Sequence, residues 1–229
     1  MNVAVVPVVA VDGPSGSGKG TISRLLARRS GWHLLDSGAL YRLVALAGRH
    51  AGLPQDDIAG HAAIAGVMRV AFTVRDDGGE RILLDGGDVT AEVRAEATGQ
   101  GASRVAAWPA VRDALMQRQR DFARSPGLIA DGRDMGTVVF PDAALKIFLT
   151  ASAEERAKRR YNQLKDKDSA ASLAALSREI AERDLRDSTR AVAPLRPASD
   201  AFVVDSTGVT VEAVLERVIE LGRARALWR

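Results

Sequence analysis

The glycine-rich segment at residues 13–21 constrains the fold more than any other part of this chain. It reads Gly-Pro-Ser-Gly-Ser-Gly-Lys-Gly-Thr and satisfies the pattern G-x-x-x-x-G-K. Small residues let successive backbone N–H groups turn inward around phosphate oxygens, and Lys19 adds a positive charge there. A β-branched run at residues 8–11 precedes the loop, and residues 19–29 favour a helix. We therefore expect a strand, a phosphate-binding loop and a helix whose positive N-terminus faces the same phosphates.

The residue after the lysine departs from the common form of this loop. Gly20 stands where a serine or threonine usually binds Mg²⁺, and the hydroxyl comes one place later at Thr21. Asp131 follows a short apolar run, like the strand-end aspartate that organises Mg²⁺ and water in other phosphate-loop enzymes. Thr21 and Asp131 are therefore candidates for holding the metal through water, with no certain direct ligand. Formation of a turn is the alternative role of Asp131.

The rest of the chain alternates short apolar runs with helical patterns. Residues 32–35 favour a short strand. Three further runs lack polar alternation, which is typical of strands buried on both faces of a parallel sheet; they are residues 128–130, 145–149 and 202–204. Helices are expected at residues 38–51, 109–124, 152–165, 173–190 and 211–227. This alternation predicts a doubly wound α/β fold.

One region interrupts that rhythm. Residues 70–74 and 81–84 flank Asp-Asp-Gly-Gly at residues 76–79, which is a hairpin signal, and residues 85–88 mark a second tight turn. We therefore interpret residues 55–97 as an inserted subdomain of helix and antiparallel strands.

Composition excludes several kinds of protein and site. The chain has 229 residues and no cysteine, so disulfides and thiolate metal sites are ruled out. His33, His50 and His61 form no spaced cluster, so a zinc site is not expected. No apolar stretch approaches the roughly 18 residues of a membrane span, and the apolar start lacks the features of a signal peptide. We expect a cytoplasmic protein with no membrane partner.

The charge of the chain is basic but locally balanced. Lys and Arg total 32 against 29 Asp and Glu, and most of the basic residues are arginine. Nucleic-acid binding would need blocks of unbalanced positive charge, whereas basic and acidic residues intermingle over residues 154–190. We therefore expect no nucleic-acid partner. Compositional bias and bidentate phosphate binding are two alternative reasons for the arginines.

Two segments carry candidate residues for a phosphoryl acceptor. Asp36 and Ser37 would cap a helix, and Arg42, one turn inside it, would clamp a monophosphate. Doubly wound sheets bind ligands at strand ends beside the phosphate loop. Arg133 and Asp134, which follow the apolar run at residues 128–130, should therefore face that cleft.

Two further sets of charged residues share helical faces. One set follows the spacing i, i+3, i+4 and the other i, i+4, i+7; they are Arg156, Arg159 and Arg160, and Arg183, Asp187 and Arg190. A solvated, salt-bridged surface is one interpretation. Phosphoryl transfer needs cations that close over the transferring group and exclude water, so a closing helix is the other.

Together these segments resemble the bacterial cytidylate kinases, which act on CMP and dCMP. The resemblance covers essentially the full length, in the stretches 12–21, 32–42, 129–142, 146–149, 182–184 and 190–195. The block IADGRDMGTVVFPD at residues 129–142 is the most specific. The phosphate loop alone would indicate only a nucleoside monophosphate kinase. The match is weakest in the predicted insertion and over residues 166–175.

The resemblance implies both a fold and a reaction. The fold is a single P-loop kinase domain over residues 1–229, with an inserted monophosphate-binding subdomain at residues 55–97 and a helical lid with its flanking helices at residues 152–190. The reaction is transfer of the γ-phosphoryl group of ATP to CMP or dCMP with Mg²⁺, in pyrimidine nucleotide metabolism. A monomer is expected.

Roles carry over by matching position. ATP-binding residues are Gly13, Pro14, Ser15, Gly16, Ser17, Gly18, Lys19, Gly20 and Thr21. The catalytic cations are Lys19 and the lid arginines Arg156, Arg159 and Arg160. Cytosine would be read by Ser103, Arg112 and Asp134, and the ribose hydroxyls held by Arg183 and Asp187. The acceptor phosphate would be gripped by Arg42, Arg133 and Arg190, with Ser37 and Tyr41 nearby.

Base chemistry agrees with that division. Cytosine offers a donor at N4 and acceptors at N3 and O2, so Asp134 can accept from N4 and Arg112 can donate to N3 or O2. Uracil puts an acceptor where cytosine has its amine, which would leave a desolvated carboxylate unpaired. The alternatives are an adenylate or uridylate kinase on the same core, a phosphate-loop switch that regulates a partner, and a basic nucleic-acid binder.

Overall fold

The computed structural model describes residues 6–74, 80–165 and 172–228. The chain divides into two compact units, one made of the described residues of Met1–Asp36 and Arg120–Arg229 and the other of Ser37–Gln119. The segment 55–97, predicted as an insertion, lies within the second of these ranges. Its boundaries and those of the lid stay predictions.

The elements of regular structure follow the predicted alternation. In chain order the strands are β1 (Val8–Asp12), β2 (His33–Asp36), β3 (Val70–Val74), β4 (Glu80–Leu84), β5 (Gly87–Asp88), β6 (Leu128–Gly132), β7 (Leu145–Thr150) and β8 (Phe202–Asp205). The helices are α1 (Lys19–Ser30), α2 (Ser37–His50), α3 (Ile58–Val67), α4 (Thr90–Arg94), α5 (Glu96–Val105), α6 (Pro109–Arg120), α7 (Ala153–Lys165), α8 (Leu173–Thr189) and α9 (Val211–Arg223). A single π-helical turn spans Met135–Val139.

A parallel sheet organises the first unit. Within the described residues it has five strands in the order β2-β6-β1-β7-β8, and each neighbouring pair is parallel. Every residue of β1 is buried, and so is every residue of β6, as the lack of polar alternation at residues 128–130 predicted. Burial on both faces was wrong for residues 202–204, because β8 is an edge strand in which Val203 is exposed. Helices flank this sheet, so the doubly wound α/β prediction is confirmed.

The core of the first unit lies between the sheet and two helices. Val9 and Ile147 of the sheet pack with Leu26 of α1 and Val218 of α9, all almost fully buried. The hydroxyl of Thr210 caps α9 by accepting a hydrogen bond from the Ala213 N–H at 3.3 Å. This packing fixes α1, and with it the loop that precedes α1.

The second unit holds an antiparallel sheet with strand order β3-β4-β5 and the helices α2 to α6. The pairing of β3 with β4 confirms the predicted hairpin strands, while the turn predicted at residues 76–79 lies outside the described residues. Between β4 and β5 the chain reverses at Asp85 and Gly86, whose φ values are 49° and 92°. Glycine adopts such left-handed values without steric cost, which suits the second predicted turn.

Two helix ends differ from the prediction, and the start of α7 forms only part of a capping box. Helix α6 ends at Arg120 rather than residue 124, and α9 ends at Arg223 rather than residue 227. The hydroxyl of Ser152 accepts the Glu155 N–H at 3.1 Å, as a capping box requires. The Ser152 N–H donates instead to Thr207 Oγ1 at 2.9 Å, and the Glu155 carboxylate accepts from Arg159. Thr207, which is distant in sequence, therefore takes the place of Glu155 as acceptor for the Ser152 N–H.

Candidate active site

The carboxyl ends of three strands meet at one edge of the parallel sheet. Asp12 of β1 lies in register with Gly132 of β6, and Asp131 of β6 lies in register with Asp36 of β2. The glycine-rich loop leaves β1 directly after Asp12. Parallel pairing thus gathers three carboxylates and the loop at the edge where doubly wound sheets bind ligands.

The loop has the backbone geometry of a phosphate cradle. Gly13 has φ 152°, and a Cβ there would overlap the carbonyl oxygen of Leu149, so only glycine fits. Gly18 has φ 92° and begins α1, and its carbonyl accepts from Ile22 N at 3.1 Å. Lys19 Nζ donates to the Pro14 carbonyl at 3.3 Å, across the loop. The lysine ammonium is therefore held against the loop rather than extended into solvent.

Lys19 and Asp131 form a buried electrostatic pair. Burial lowers the pKa of Lys19 to about 8; Arg133 and Arg183 add to that effect, and Asp131 and Asp36 oppose it. Burial likewise raises the pKa of Asp131 to about 6, against the influence of Lys19. Burial disfavours the charged form of both groups, and the opposite charge of each favours the charged form of the other.

Asp131 also explains the unusual residue after the lysine. A Cβ on Gly20 would lie 3.1 Å from Asp131 Oδ2, tighter than ordinary contact. The glycine leaves room for the carboxylate. Asp131 Oδ1 is buried and has no hydrogen-bond partner within the described part of the chain. A buried carboxylate oxygen without a donor suits a hydrated cation or a water molecule.

The acceptor candidates of the first unit are joined by ion pairs. Arg133 Nε donates to Asp187 Oδ2 at 2.5 Å, and Arg190 Nη2 lies 3.9 Å from Asp134 Oδ1. Burial alone would raise the pKa of Asp187, but the cations of Arg133 and Arg183 lower it below its ordinary value. The structure therefore brings together five predicted CMP-binding residues: Arg133, Asp134, Arg183, Asp187 and Arg190.

Two of the three arginines predicted to belong to a lid donate hydrogen bonds to backbone carbonyls of the phosphate loop. Arg156 forms a bidentate pair with Asp184 at 3.0 and 2.5 Å and donates to the Ser15 carbonyl at 3.1 Å. Arg159 donates to the Ser17 carbonyl at 3.3 Å. Arg156 is only 5% exposed, so a solvated surface does not describe it.

Arg160 makes a different contact from the other two. Its Nη1 donates to Gln163 Oε1 at 3.5 Å, one turn along the same helix, and its side chain is half-buried. The three arginines share a helical face, as their spacing predicted, but two of them reach the loop and Arg160 contacts α7 itself.

Ser206 is a functional candidate that sequence reasoning missed. It follows β8, its Oγ lies 3.0 Å from the Ser17 carbonyl and 3.0 Å from the Thr150 carbonyl, and both its oxygens accept from Arg159. Ser206 and Arg159 together hold the Ser17 carbonyl from outside the loop. The N–H of the same peptide group belongs to Gly18, one of the residues predicted to bind ATP.

Asp12 was also missed as a site residue. Its carboxylate accepts from the Met135 and Gly136 N–H groups, at 2.8 Å each. Burial raises the pKa of Asp12 to about 7, although these two hydrogen bonds lower it, and Asp134 and Asp131 add to the increase. The position of Asp12 at the end of a predicted strand was visible in the sequence. Its two hydrogen-bond donors could not be predicted, because they lie more than 120 positions along the chain.

The second unit carries the other acceptor candidates. Ser37 Oγ donates to Gln119 Oε1 at 2.7 Å, and Arg112, almost fully buried, donates to the Tyr41 hydroxyl at 3.4 Å. The Ser103 hydroxyl is buried and lacks a hydrogen-bond partner among the residues described. A buried polar atom of this kind is a candidate for ligand contact.

In this structure Arg42 binds two backbone carbonyls of its own unit. Its Nη1 donates to the Val93 and Ala95 carbonyls at 2.9 and 3.0 Å, across the junction of α4 and α5. The phosphate clamp predicted for Arg42 stays a prediction. These contacts stabilise the chain between the two helices.

Two negative findings apply to the described residues. No group of three or more His, Cys, Asp or Glu side chains is arranged to hold a metal ion. No helix in those ranges combines the length and the apolar character that crossing a membrane requires.

The sheet, loop, buried lysine and strand-end aspartate define the class of protein: a phosphate-loop nucleotide-binding α/β protein of the kinase type. Comparison with known proteins narrows that class. Residues 9–224 match the family model for cytidylate kinase, and the chain belongs to that family.

Relatives and solved structures agree with this assignment. The cytidylate kinase of Pseudomonas paraeruginosa (strain DSM 24068 / PA7) is 60% identical over 217 residues, which cover 94% of this chain and 95% of the relative. That of Pseudomonas fluorescens (strain SBW25) is 58% identical over 220 residues, 96% of each chain. A crystal structure of an uncharacterized protein from Eubacterium ventriosum matches with a TM-score of 0.52 at 11% identity, over 94% of this chain and 97% of that one. That last likeness concerns the fold alone.

Proposed function

We propose that this protein transfers the γ-phosphoryl group of ATP to CMP, giving ADP and CDP, and acts on dCMP in the same way. The observation that carries the proposal is identity of about 60% to cytidylate kinases over nearly the whole chain. The phosphate loop with its buried Lys19 and Asp131 supplies the chemistry that such a transfer needs.

The reaction requires no strong base. An oxygen of the CMP phosphate, already anionic, attacks the γ-phosphorus in line, and the bond to the β,γ-bridging oxygen breaks as ADP leaves. Lys19 neutralises charge that develops on the transferring group, and the N–H groups of residues 13–21 hold the ATP phosphates. Catalysis is thus positioning and charge neutralisation.

Mg²⁺ fits the residues at the end of the sheet. The unpartnered Asp131 Oδ1 and the Thr21 hydroxyl are the groups that would hold it through water. A hydrated ion bound mainly by ATP needs no cluster of protein carboxylates, in keeping with the donor set described above. When bound, the ion would neutralise phosphate charge.

The residues that we assign to CMP recognition are those that match the family by position. We assign base reading to Asp134 as acceptor for N4, Arg112 as donor to N3 or O2, and the unpartnered Ser103 hydroxyl. Arg183 and Asp187 bind the ribose. Arg42, Arg133 and Arg190 bind the acceptor phosphate, with Ser37 and Tyr41 beside it.

The lid role of residues 152–190 is supported by the links from α7. Arg156 joins α7 to α8 through Asp184 and to the phosphate loop through Ser15. A shift of α7 would therefore move or break its hydrogen bonds to the phosphate loop. We propose that Arg156, Arg159 and Arg160 stabilise the transferring phosphoryl group when these helices close. The monomeric state and the cytoplasmic location stay predictions.

The experiment that tests the proposed reaction is a coupled ADP-release assay against AMP, GMP, UMP, CMP and dCMP. We expect rapid turnover with CMP and dCMP. Lys19→Ala should lower kcat by about 10²–10³ with the fold unchanged by circular dichroism, because it removes a charge aimed at the transferring group. Preference for AMP or UMP would identify another nucleotide kinase, and no turnover would favour a regulatory switch.

Asp134→Asn tests the base-reading role. The amide keeps the volume and can present a donor to O4 of uracil. We expect kcat/KM for CMP to fall and the CMP:UMP ratio to approach one, a loss of roughly 10- to 100-fold in discrimination. Arg133→Ala is the control, since loss of a phosphate contact should weaken both substrates equally. An unchanged ratio in Asp134→Asn would remove Asp134 from the base site.

A further inference from the structure

Asp12 is a buried carboxylate to which the phosphoryl-transfer chemistry assigns no role. It ends β1, is only 5% exposed, and uses both oxygens as acceptors. Oδ1 accepts from Met135 N and Oδ2 from Gly136 N, each at 2.8 Å. Those donors begin the π-helical turn Met135–Val139, directly after Asp134.

The hydrogen bonds fix the peptide group that follows Asp134. Its N–H, on Met135, donates to Asp12, while its carbonyl, on Asp134, accepts from Val138 N at 2.9 Å and Val139 N at 3.2 Å. That peptide plane is therefore held at both edges. Since the plane sets the backbone from which the Asp134 side chain projects, Asp12 limits where the Asp134 carboxylate can point.

A carboxylate is the side chain this place requires. Two parallel N–H groups need two acceptor oxygens, and only Asp or Glu supplies both. An asparagine would turn its NH₂ toward one of the N–H groups and leave a buried donor without a partner. The protein keeps the carboxylate although Asp134 and Asp131 lie close enough to raise its pKa. Because the negative charges of Asp134 and Asp131 disfavour a third carboxylate here, we expect Asp12 to have a specific role beyond packing.

We propose that Asp12 is a positioning residue for base selection, which holds the Asp134 backbone so that its carboxylate meets the amine of cytosine. The inference rests on the proposed function and adds a specificity-determining residue to it. Asp12 does not touch the nucleotide; it acts through the Met135 and Gly136 N–H groups.

The test is a comparison of CMP:UMP ratios of kcat/KM in Asp12→Asn, Asp134→Asn and the double variant, at fixed ATP, Mg²⁺ and salt. Asp12→Asn should lower the ratio by roughly tenfold, with KM for ATP changed far less than KM for CMP. In the Asp134→Asn background the same change should alter the ratio by less than about twofold, because residues that act through each other are not additive.

Asp57→Asn is the matched control. Asp57 also accepts a hydrogen bond from a backbone N–H, that of Gly60 at 2.9 Å, but it is not among the residues assigned to ATP or CMP. Its ratio should equal that of the wild type. If Asp12→Asn does not fold by circular dichroism, Asp12→Glu, which keeps the charge and moves the carboxylate by one methylene, takes its place in every comparison.

Three results would overturn the inference, and they differ from one another. Equal losses for CMP and UMP with an unchanged ratio would make Asp12 a structural residue only. Additive effects in the double variant would mean that Asp12 does not act through Asp134. A wild-type enzyme that does not prefer CMP to UMP would instead refute the proposed function, and the inference would fall with it.

Discussion

The protonation of Lys19 should set the upper pH limit of ATP use. Burial and two arginines lower the pKa of Lys19 to about 8 in the ligand-free protein. The pH dependence of kcat/KM reports ionisations of the free enzyme. We therefore expect kcat/KM for ATP to fall tenfold per pH unit above pH 8, because the neutral amine no longer stabilises the transferring phosphoryl group.

Asp131→Asn should move that limit to lower pH. The carboxylate of Asp131 raises the pKa of Lys19, and a nearby opposite charge is worth roughly one pKa unit or more. One unit corresponds to about 1.4 kcal/mol, or a tenfold change in the fraction protonated. Asparagine keeps the shape and removes the charge, so the alkaline limb should shift down by about one unit, whatever the loss in absolute rate.

Arg133→Gln should move the same limit the opposite way, since Arg133 lowers the pKa of Lys19. The assay is ADP release at limiting ATP and limiting CMP, so that the free enzyme is the form that titrates. It runs from about pH 7.5 upward, where the substrate phosphates are fully ionised. Opposite shifts in two isosteric or near-isosteric variants would be difficult to produce through altered folding. Identical limbs in the wild type and both variants would refute the electrostatic reasoning.

Two further predictions concern the outside of the phosphate loop. Ser206→Ala should raise KM for ATP and leave KM for CMP nearly unchanged, because the hydroxyl contacts the Ser17 carbonyl; steady-state kinetics check this, and equal increases in both KM values would contradict it. Arg156→Ala should lower the free energy of unfolding by about 1–3 kcal/mol, because it removes the guanidinium that donates to the carboxylate of Asp184. Arg217→Ala, which removes an exposed arginine paired with Glu220 on the surface of α9, should change it by less than about 0.5 kcal/mol. Equal urea midpoints for both variants would show that the Arg156 pair adds no stability.

The inner strands were predictable because they are buried on both faces of the parallel sheet. Runs such as residues 128–130 and 145–149 have no polar alternation, and each became a central strand. The order of those strands was not predictable. Placing β6 between β2 and β1 depends on packing among distant segments, and no local pattern encodes it.

The same distinction applies to the site. The phosphate loop and Asp131 were found because their chemistry is local: glycines beside a lysine, and an aspartate at the end of an apolar run. Ser206 was missed because it follows β8 in a polar stretch that is typical of an ordinary turn. Only the placement of β8 beside β7 brings its hydroxyl to Thr150 and the loop.

The arginine-rich composition also has a physical explanation in the first unit. One guanidinium, that of Arg156, donates to the carbonyls of Ala151 and Ser15 and to both oxygens of Asp184. A lysine ammonium has three donors at one point and could not span three partners in a plane. Arginine therefore suits sites where one side chain must bind several carbonyl and carboxylate oxygens at once. The one lysine in the loop has the opposite requirement: a compact charge that fits among phosphates and responds to its neighbours, which is why its pKa, rather than that of any arginine, should govern the pH limit of the enzyme.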